Sequence, residues 1–374
     1  MKESTSGQAA VCYLDFAREK RNTAGMKAPE DIARICAGQG WKRVVLPAFP
    51  KEKNLIYQRL WLLTVCPLSW LRLAKQIPRG AALIYQHPMY GKPIVRRMLP
   101  WLKRKRDLKV IAVVHDLESL RGGIAGVVKQ RKHMDRAVDN ELLKELDAVI
   151  CHNAHMRAYL EQQGFDSEKL VELGIFDYLS DCERTQPEKG ASPSVAIAGN
   201  LAYTKSAYLY EVFSGGANAN LTMHLYGNRF EPERAVGGML HHGSFPPEAL
   251  PAALEGDFGL VWDGPSAETC AGNTGNYLRY NNPHKTSLYL SSGMPVVVWS
   301  EAAIADFVRA HHVGITVSDL KDLSRAIEAV TPQEYRELCE NTARVGAELR
   351  RGAFFLAASE RALRICGAAQ TTNS

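Results

Sequence analysis

The most informative stretch of this sequence is Tyr280-Asn281-Asn282-Pro283-His284-Lys285-Thr286-Ser287, which is followed by Leu288-Tyr289-Leu290-Ser291-Ser292-Gly293-Met294-Pro295 and the apolar run Val296-Val297-Val298-Trp299. It predicts a polar loop, a short helix, a glycine-proline turn and a buried strand. Pro283 suits a helix start, and Asn282 before it can act as a cap. His284 and Lys285 then lie where free N–H groups and the helix dipole favour an anion. The pattern fits a diphosphate pocket, although a solvated turn with ordinary surface charge stays open.

Short apolar runs rich in β-branched residues alternate with helix-length segments along the rest of the chain. Continuous apolar strands with intervening helices are typical of parallel sheets covered on both faces. Five strands, a break and five more strands predict an α/β protein with two doubly wound, Rossmann-like domains facing across a cleft. The ten predicted strands are 11–16, 43–47, 81–86, 109–115, 147–152, 194–198, 221–226, 258–262, 295–299 and 314–317.

The domain boundaries follow from length and composition. The chain has 374 residues, which is more than one hydrophobic core usually spans. The break at 177–194 contains Pro187, Gly190 and Pro193 among charged and small residues. We therefore predict an N-terminal domain at 1–180 and a C-terminal domain at 194–331. Helices at 332–374 are predicted to pack back on the first domain.

The bulk composition is that of an ordinary folded protein, with 46% apolar and 23% charged residues. None of the eight cysteines has C-x-x-C spacing, so neither a zinc site nor a redox pair is indicated. The N-terminus lacks the apolar core of a signal peptide, and no apolar run is long enough to span a bilayer. These features predict a cytoplasmic protein.

The net charge of +6 is unevenly distributed. The run from Arg96 to Lys109 contains seven basic residues and the single acid Asp107. It fits an anionic membrane surface or, less well, nucleic acid, while a solubilising helix face is the alternative. The apolar segment 55–73, with Trp61 and Trp70, is predicted to be a core or dimer helix pair, with a membrane-surface element as the alternative.

Polar residues at the carboxyl ends of the predicted strands are the candidate catalytic groups, since open parallel sheets bind ligands there. Asp116, directly after the fourth strand, is our first choice for a base that accepts a proton from an attacking hydroxyl. Glu118 is the second choice, and His115 is either a base or a phosphate contact. Alternatively, Asp116 caps the next element and Glu118 pairs with Arg121.

Several reactions and sites are not indicated by the sequence. His152 and His155 have a helical spacing without a third ligand, and the pairs at 241–242 and 311–312 fit polar loops better than a metal site. The chain has no Walker A loop, no G-x-G-x-x-G, no H-E-x-x-H and no G-x-S-x-G. A sugar nucleotide remains as the natural ligand of a two-domain cleft with a basic phosphate loop.

These motifs resemble bacterial GT-B glycosyltransferases of the galactofuranosyltransferase-like family, which includes glucosyltransferases that extend N-acetylglucosamine on serine-rich adhesins. The resemblance covers about residues 15–317. It is carried by Asn22 with Lys27-Ala28-Pro29, by residues 115–121, His152-Asn153, Gly199-Asn200-Leu201 and Lys205, by Leu225-Tyr226-Gly227, Gly243 and Phe245, and most strongly by residues 258–264 and 280–285.

The resemblance implies a UDP-sugar held mainly by the C-terminal domain, with acceptor binding on the N-terminal side. It places the diphosphate near Lys205 and the residues Asn282, Pro283, His284 and Lys285. The uridine would lie near Tyr226, Gly227 and the 243–245 turn with Phe245, beside Gly199 and Asn200, and Asn22 would close over the donor. No metal or other cofactor is expected, because basic groups and a helix start would stabilise the leaving diphosphate.

One feature departs from many retaining enzymes of this architecture, which carry a pair of glutamates around the helix before the Gly-x-Pro-Val strand. That helix has no acid between Thr286 and Ser292. We therefore expect an inverting hexosyltransferase that acts on a glycan, glycolipid or glycopeptide. The alternative is a non-catalytic sugar-nucleotide-binding or scaffold module. Peripheral contact with the inner face of a membrane and a homo-oligomer are further expectations, and nucleic acid is not expected as a partner.

Overall fold

The computed structural model describes residues 9–16, 26–50, 52–121, 134–182 and 188–368. Within them the chain forms two six-stranded sheets. The first sheet consists of β1 (Val11–Phe16), β2 (Lys42–Leu46), β3 (Ala82–His87), β4 (Lys109–Val114), β5 (Ala148–Cys151) and β6 (Leu170–Glu172). The second consists of β7 (Ser194–Asn200), β8 (Thr222–Asn228), β9 (Gly238–Gly243), β10 (Phe258–Val261), β11 (Val296–Trp299) and β12 (Gly314–Val317).

Both sheets are parallel, with the strand orders β2-β1-β3-β4-β5-β6 and β12-β11-β10-β7-β8-β9. All ten predicted strands are present, with ends that agree within about two residues. The prediction of two doubly wound α/β sheets is therefore confirmed.

Two strands, β6 and β9, were not predicted, and each lies at the edge of its sheet. β6 has only three residues, too few to show a pattern. β9 reads Gly-Met-Leu-His-His-Gly and is only partly buried, so it lacks the apolar run of a central strand. Edge strands are covered less than central ones, which explains why their sequences carry less signal.

The strands are connected mainly by helices. The helices of the first half are α1 (Lys27–Gly38), α2 (Leu55–Leu63), α3 (Val65–Gln76), α4 (Lys92–Arg106), α5 (Glu118–Arg121) and α6 (Ala154–Gln162), with a π-helical segment at Ala137–Leu142. The second half has α7 (Tyr203–Ser206), α8 (Tyr208–Glu211), α9 (Leu250–Ala253), α10 (Gly272–Tyr277), α11 (His284–Ser291), α12 (Ile304–His311), α13 (Leu323–Glu328), α14 (Pro332–Arg350) and α15 (Ala353–Ile365). Among the helices in the described ranges, none combines the length and apolarity needed to cross a bilayer.

Side chains alternate between the two covered faces of the first sheet, as in any strand. In β1, Cys12 and Leu14 face a core that includes residues of α2, α3 and α4. Val11 and Tyr13 face a core formed with α1 and α15. The second sheet is surrounded by its own core, centred on β7, β10 and β11.

The last helix, α15, packs against the first sheet although it follows the second in sequence. Phe355, Ala358 and Leu363 are buried in the core that contains Val11 and Tyr13. The preceding helix, α14, packs instead against α11 in the core of the second sheet, so only α15 lies on the first sheet in the way predicted for residues 332–374. The domain limits at 180, 194 and 331 themselves stay a prediction.

Candidate active site

The segment 282–285 connects the two halves at the predicted phosphate loop. Helix α11 begins at His284, and Pro283 occupies the N-cap position with an extended backbone. The expectation that Asn282 caps this helix is wrong, because α11 has no side-chain cap and Asn282 lies one residue too early. The first backbone N–H groups of α11 therefore have no cap from a side chain.

Asn282 bonds to the first half of the molecule with its whole side chain. Its Nδ2 donates to the carbonyls of His152 and Gly174 at 2.8 and 2.9 Å, and its Oδ1 accepts from Asn153 Nδ2 at 2.7 Å. The side chain is 3% exposed. The predicted contact of Asn282 with a diphosphate stays a prediction, and in this structure the residue fastens the two halves together.

His152 completes this hydrogen-bonded hub. Its Nδ1 accepts the backbone N–H of Asn282 at 2.8 Å, so Nε2 carries the proton and donates to the Val114 carbonyl at 3.0 Å. Burial lowers the pKa of His152 to about 4, which keeps the ring neutral at neutral pH. The hub thus holds the start of α11 against the carboxyl end of β4.

Lys285 lies one residue inside α11 and is the cation best placed for an anionic ligand. Its Nζ donates to the Trp262 carbonyl at 2.8 Å, at the end of β10. Burial lowers the pKa of Lys285, the negative charge of Asp263 opposes this shift, and the positive charge of Lys205 adds to it, so the two lysines lie close enough to repel each other. An anion between them would relieve this repulsion.

Two hydroxyl groups of α11 were missed by the sequence interpretation. Thr286 Oγ1 and Ser287 Oγ are buried and have no hydrogen-bond partner in the structure. Buried polar groups are normally paired, so two orphaned hydroxyls in one helical turn indicate a place where a partner is added. Their position beside Lys285 is the signal that could have pointed to them.

His284 is only partly exposed and faces the chain that links the two halves. Its Nε2 lies 3.4 Å from the Asp177 carbonyl, and its ring lies 5.1 Å from that of Tyr178. Burial lowers the pKa of His284 to about 4. A neutral imidazole can donate one hydrogen bond to a phosphate but adds no charge at neutral pH.

The ends of β7 and β8 meet at two glycines. Gly199 and Gly227 are register partners with φ of 146° and 153°. A Cβ on Gly227 would lie 1.8 Å from the Gly199 carbonyl oxygen, so only glycine fits there. Beside them, Asn200 Oδ1 accepts the N–H of Ala202 at 3.1 Å and shapes the turn that leads to Lys205.

An aromatic group lies next to the glycines. Tyr226 is buried and its hydroxyl accepts the N–H of Glu255 at 2.9 Å. Its ring stacks on His242 at 4.8 Å and lies 6.0 Å from the half-buried ring of Phe245. The structure therefore brings Tyr226, Gly227 and Phe245 together, as the predicted uridine pocket requires.

The candidate bases lie across the cleft, directly after β4. His115 Nε2 donates to Gln86 Oε1 at 2.8 Å, and its ring stacks on Phe176 at 5.5 Å. Asp116 accepts from Arg121 at 2.9 Å and is about one-third exposed. Burial raises the pKa of Asp116, and the charge of Arg121 opposes this shift. A raised pKa makes a carboxylate a better proton acceptor.

Glu118 has a different partner from the one considered in the sequence analysis. Its Oε2 accepts from Lys92 Nζ at 2.6 Å, whereas Arg121 pairs with Asp116. The alternative in which Glu118 pairs with Arg121 is therefore wrong. Glu118 and Asp116 both keep enough exposure to reach a ligand, and the assignment of the base between them stays a prediction.

A cavity of about 720 Å³ opens between the two halves, and neither Asp116 nor Glu118 is among the residues that line it. Tyr277 links it to the candidate base, because its hydroxyl accepts the N–H of Leu117 at 2.8 Å. The cavity is lined by polar and aromatic side chains from both halves, including Ser119, Arg136, Asn140, Tyr159, Arg279 and Tyr280.

The sequence analysis expected no metal, and this stays a prediction. His155 bonds to Asp306 at 2.8 Å. In contrast with the loop position expected for the 241–242 pair, His242 lies on β9 and faces His224 and Glu255. His224 Nδ1 lies 3.1 Å from His242 Nε2 and 3.6 Å from a Glu255 oxygen, so these three groups could hold a cation. Asn22 lies outside the described residues.

Two protein-family models match this chain, one in each half of the molecule. Residues 13–175 match the model of the glucosyltransferase 3-like N-terminal domain, and residues 195–362 match that of the glucosyltransferase 3-like C-terminal domain. The chain is 33% identical over 355 residues to the beta-1,6-galactofuranosyltransferase WbbI of Escherichia coli (strain K12), covering 92% of this chain and 95% of the relative. It is 27% identical over 287 residues to glucosyltransferase 3 of Streptococcus gordonii, covering 74% and 77%.

Solved structures with low sequence identity share the fold. The structure of Anabaena Alr3699/HepE in complex with UDP and glucose has a TM-score of 0.58 at 12% identity and covers 95% of this chain and 98% of its own. The lipopolysaccharide outer core galactosyltransferase WaaB in its apo form has a TM-score of 0.58 at 11% identity and covers 94% and 99%. These likenesses identify the arrangement of the two sheets as the GT-B fold.

Proposed function

The chain belongs to the glucosyltransferase 3-like family of GT-B glycosyltransferases, and on that premise we propose that it transfers a hexose from a UDP-sugar to a carbohydrate-containing acceptor. The names of the relatives support a hexose such as galactofuranose or glucose. The fold neighbour solved with UDP and glucose holds a ligand of the proposed class. The single observation that carries the proposal is the start of α11, where Lys285 lies beside two buried hydroxyls without partners.

The donor diphosphate binds at the start of α11. Lys285 and Lys205 supply charge, and the free N–H groups of the first turn supply hydrogen bonds. The hydroxyls of Thr286 and Ser287 donate hydrogen bonds to the diphosphate and so gain the partners that they lack in the structure. Pro283 fixes the direction of the chain into this turn.

The uridine occupies the ends of β7 and β8. The absence of side chains at Gly199 and Gly227 lets a ligand approach the backbone closely. Tyr226 and Phe245 supply an aromatic wall for the base. Asn200 holds the turn between this wall and Lys205.

The chemical step is a single displacement. A carboxylate after β4, with Asp116 as first choice and Glu118 as second, takes the proton from the acceptor hydroxyl. The hydroxyl oxygen then forms a bond to the anomeric carbon, and the bond from this carbon to the phosphate oxygen breaks. The leaving UDP keeps the electron pair, and its added charge is stabilised by Lys285 and the α11 dipole, without a metal. The product has inverted configuration, in agreement with the absence of an acid in α11.

The acceptor approaches from the side of the first sheet. The 720 Å³ cavity, which Tyr277 connects to Leu117 beside the candidate base, has room for a sugar and presents hydrogen-bonding groups from both halves. His115 contacts a phosphate of the donor or assists the base, since Gln86 fixes the orientation of its ring.

The experiment is incubation of the protein with a panel of UDP-sugars and glycan acceptors, with measurement of UDP release. We expect one UDP-sugar to be turned over faster with acceptor than without it. Thermal denaturation adds a second measurement, in which UDP raises the melting temperature and NAD does not. Stabilisation by UDP without turnover of any donor would favour a non-catalytic binding module, and no response to any nucleotide would contradict the proposal.

A further inference from the structure

Helices α2 and α3 carry an exposed row of large apolar side chains. The inner face of this helix pair is buried in the core of the first sheet through Trp61, Cys66 and Trp70. The outer face has eight apolar side chains that are 40% to 75% exposed, which we call the apolar ridge: Leu55, Ile56, Tyr57, Leu60, Leu63, Val65, Leu68 and Leu71. The predicted core role of segment 55–73 thus holds only for one face.

The apolar ridge is the main concentration of such residues in the part of the chain that the structure describes. Outside it, the exposed large hydrophobics are Val45, Tyr203, Val236, Leu240 and Ile365, each at most 49% exposed. Single exposed apolar residues are normal on a protein surface, but a contiguous group marks an interaction site.

The charge around the ridge has one sign. Residues 53–106 contain no aspartate or glutamate in 54 positions, although acids make up 40 of the 374 residues of the chain. The same stretch holds twelve basic residues, namely Lys53, Arg59, Arg72, Lys75, Arg79, Lys92, Arg96, Arg97, Lys103, Arg104, Lys105 and Arg106.

The fold places ridge and charges side by side. Helix α3 packs against both α2 and α4, and all three cover the same face of the first sheet. Arg72, Lys75, Arg97 and the pair at 104–105 are exposed, and none forms an ion pair with another described residue. Apolar side chains flanked by unpaired cations are the arrangement of helices that lie in a membrane interface.

From this arrangement we propose that the apolar ridge inserts into the surface of an anionic lipid bilayer, with the basic residues of α3 and α4 binding the lipid headgroups. A second copy of the chain fits less well, because a two-fold contact through this face would bring the unpaired cations of α3 and α4 in one copy close to those of the other. Nucleic acid also fits less well, because seven of the eight ridge residues are aliphatic and cannot stack on bases.

The test is cosedimentation of the full chain with vesicles. One set consists of phosphatidylcholine alone and the other contains roughly one-quarter phosphatidylglycerol. We expect binding to the anionic vesicles, weak binding to the neutral ones, and a loss of binding as salt concentration rises.

Two variants separate the apolar and the electrostatic contribution. The double change Ile56→Asp and Leu63→Asp, at the two most exposed ridge positions, should weaken vesicle binding at least about tenfold at any salt concentration. Arg104→Gln with Lys105→Gln should weaken it by at least about tenfold at low salt and reduce its salt dependence.

The matched control is Ile365→Asp with Arg364→Gln on α15. This helix covers the opposite face of the first sheet, and Ile365 is 44% exposed. The control should bind vesicles like the unchanged protein, and all variants should keep their melting temperature and their response to UDP. Equal binding to neutral and anionic vesicles, or no binding to either, would overturn the proposal. A dimer in sedimentation that Ile56→Asp with Leu63→Asp dissociates would assign the ridge to a second copy instead.

Discussion

The two sheets share a strand number and a parallel topology but differ in what lies at their carboxyl ends. At the carboxyl end of the first sheet, titratable side chains have hydrogen-bonding partners. Asp116 pairs with Arg121, and His115 bonds to Gln86. The second sheet ends in glycines at Gly199 and Gly227, with lysines beyond them. In the proposed function, the first end holds and moves a proton, and the second offers backbone and positive charge to the donor diphosphate.

This difference fits the proposed transfer reaction, in which the two ends have different tasks. Side-chain chemistry is needed where a hydroxyl must be deprotonated, so the first sheet carries carboxylates near a cation that orients them. A diphosphate needs space, N–H groups and charge, which glycines and a helix start provide. If the division is real, substitutions at the first end should reduce turnover without affecting donor affinity, and those at the second end should reduce affinity.

The sharpest test of the division is Asp116→Asn. The amide keeps the size of the side chain but cannot accept a proton, so we expect the transfer rate to fall by about 10²–10⁴-fold. UDP affinity should stay within about twofold, measured by calorimetry. Glu118→Gln is the companion variant, and if it alone abolishes transfer, Glu118 is the base.

Lys285→Ala probes the second end. Removal of this cation should weaken UDP binding by about 100-fold, because a charged hydrogen-bond donor in a partly buried site is lost. Lys321→Ala in the same half is the control, since its side chain is 61% exposed and pairs with Glu268. Unchanged UDP affinity in Lys285→Ala would show that the diphosphate binds elsewhere.

The sequence predicted the main parts of both ends because they follow local rules. Apolar runs located the central strands, and Pro283 and Gly293 located the start and end of α11. The family prediction is confirmed by matches to both halves. Polar residues after β4 and β10 could be identified as strand ends without any knowledge of tertiary contacts.

The hub around Asn282 could not be predicted, because its partners are distant in sequence. Asn282 and His152 lie 130 residues apart, and nothing in either local pattern indicates that one bonds to the other. The sequence interpretation therefore assigned Asn282 to the ligand. For the segment 55–73, the sequence interpretation left a core or dimer helix pair and a membrane-surface element open, since a periodic pattern does not show which face finds a partner.

The hub makes a pH-dependent contribution to stability. The pKa of His152 is about 4 in the folded protein and 6.5 ordinarily, so the folded state binds fewer protons between these values. Its contribution is complete above pH 6.5 and is lost as the pH falls toward 4, by at most roughly 3 kcal/mol.

The test for this contribution is the difference between the unchanged protein and His152→Asn, in which Oδ1 can still accept the N–H of Asn282. Both proteins are unfolded with denaturant at pH 4.5 and at pH 7. We expect the free energy of unfolding to fall more between pH 7 and pH 4.5 in the unchanged protein than in the variant. The difference is needed because Asp31 and Asp177, whose pKa values burial raises to about 6 and about 7, act in the opposite direction. Parallel pH profiles would contradict the assignment.

Gly227→Ala tests the close approach at the second end. The added Cβ would lie 1.8 Å from the Gly199 carbonyl oxygen, so β7 and β8 must separate. We expect a loss of about 2 kcal/mol or more in unfolding free energy. Gly243→Ala is the matched control, because Gly243 also has a positive φ of 85° but a Cβ added there would meet no atom within 4 Å. Its cost should be only about 1 kcal/mol of backbone strain.

The smallest expected effect is that of removing metals. It decides whether the cations of the second end are sufficient to stabilise the leaving diphosphate. In the proposed function, Lys285, Lys205 and the α11 dipole stabilise the leaving diphosphate in place of a metal. We therefore expect transfer to continue at an unchanged rate in excess EDTA. A second variant, His242→Asn, tests the candidate cation site formed by His224, His242 and Glu255. This site lies beside the proposed uridine pocket, because the His242 ring stacks on Tyr226. If EDTA abolishes transfer in the unchanged protein and His242→Asn has the same effect without EDTA, a cation held by these three residues takes part, and the division between the two ends is incomplete.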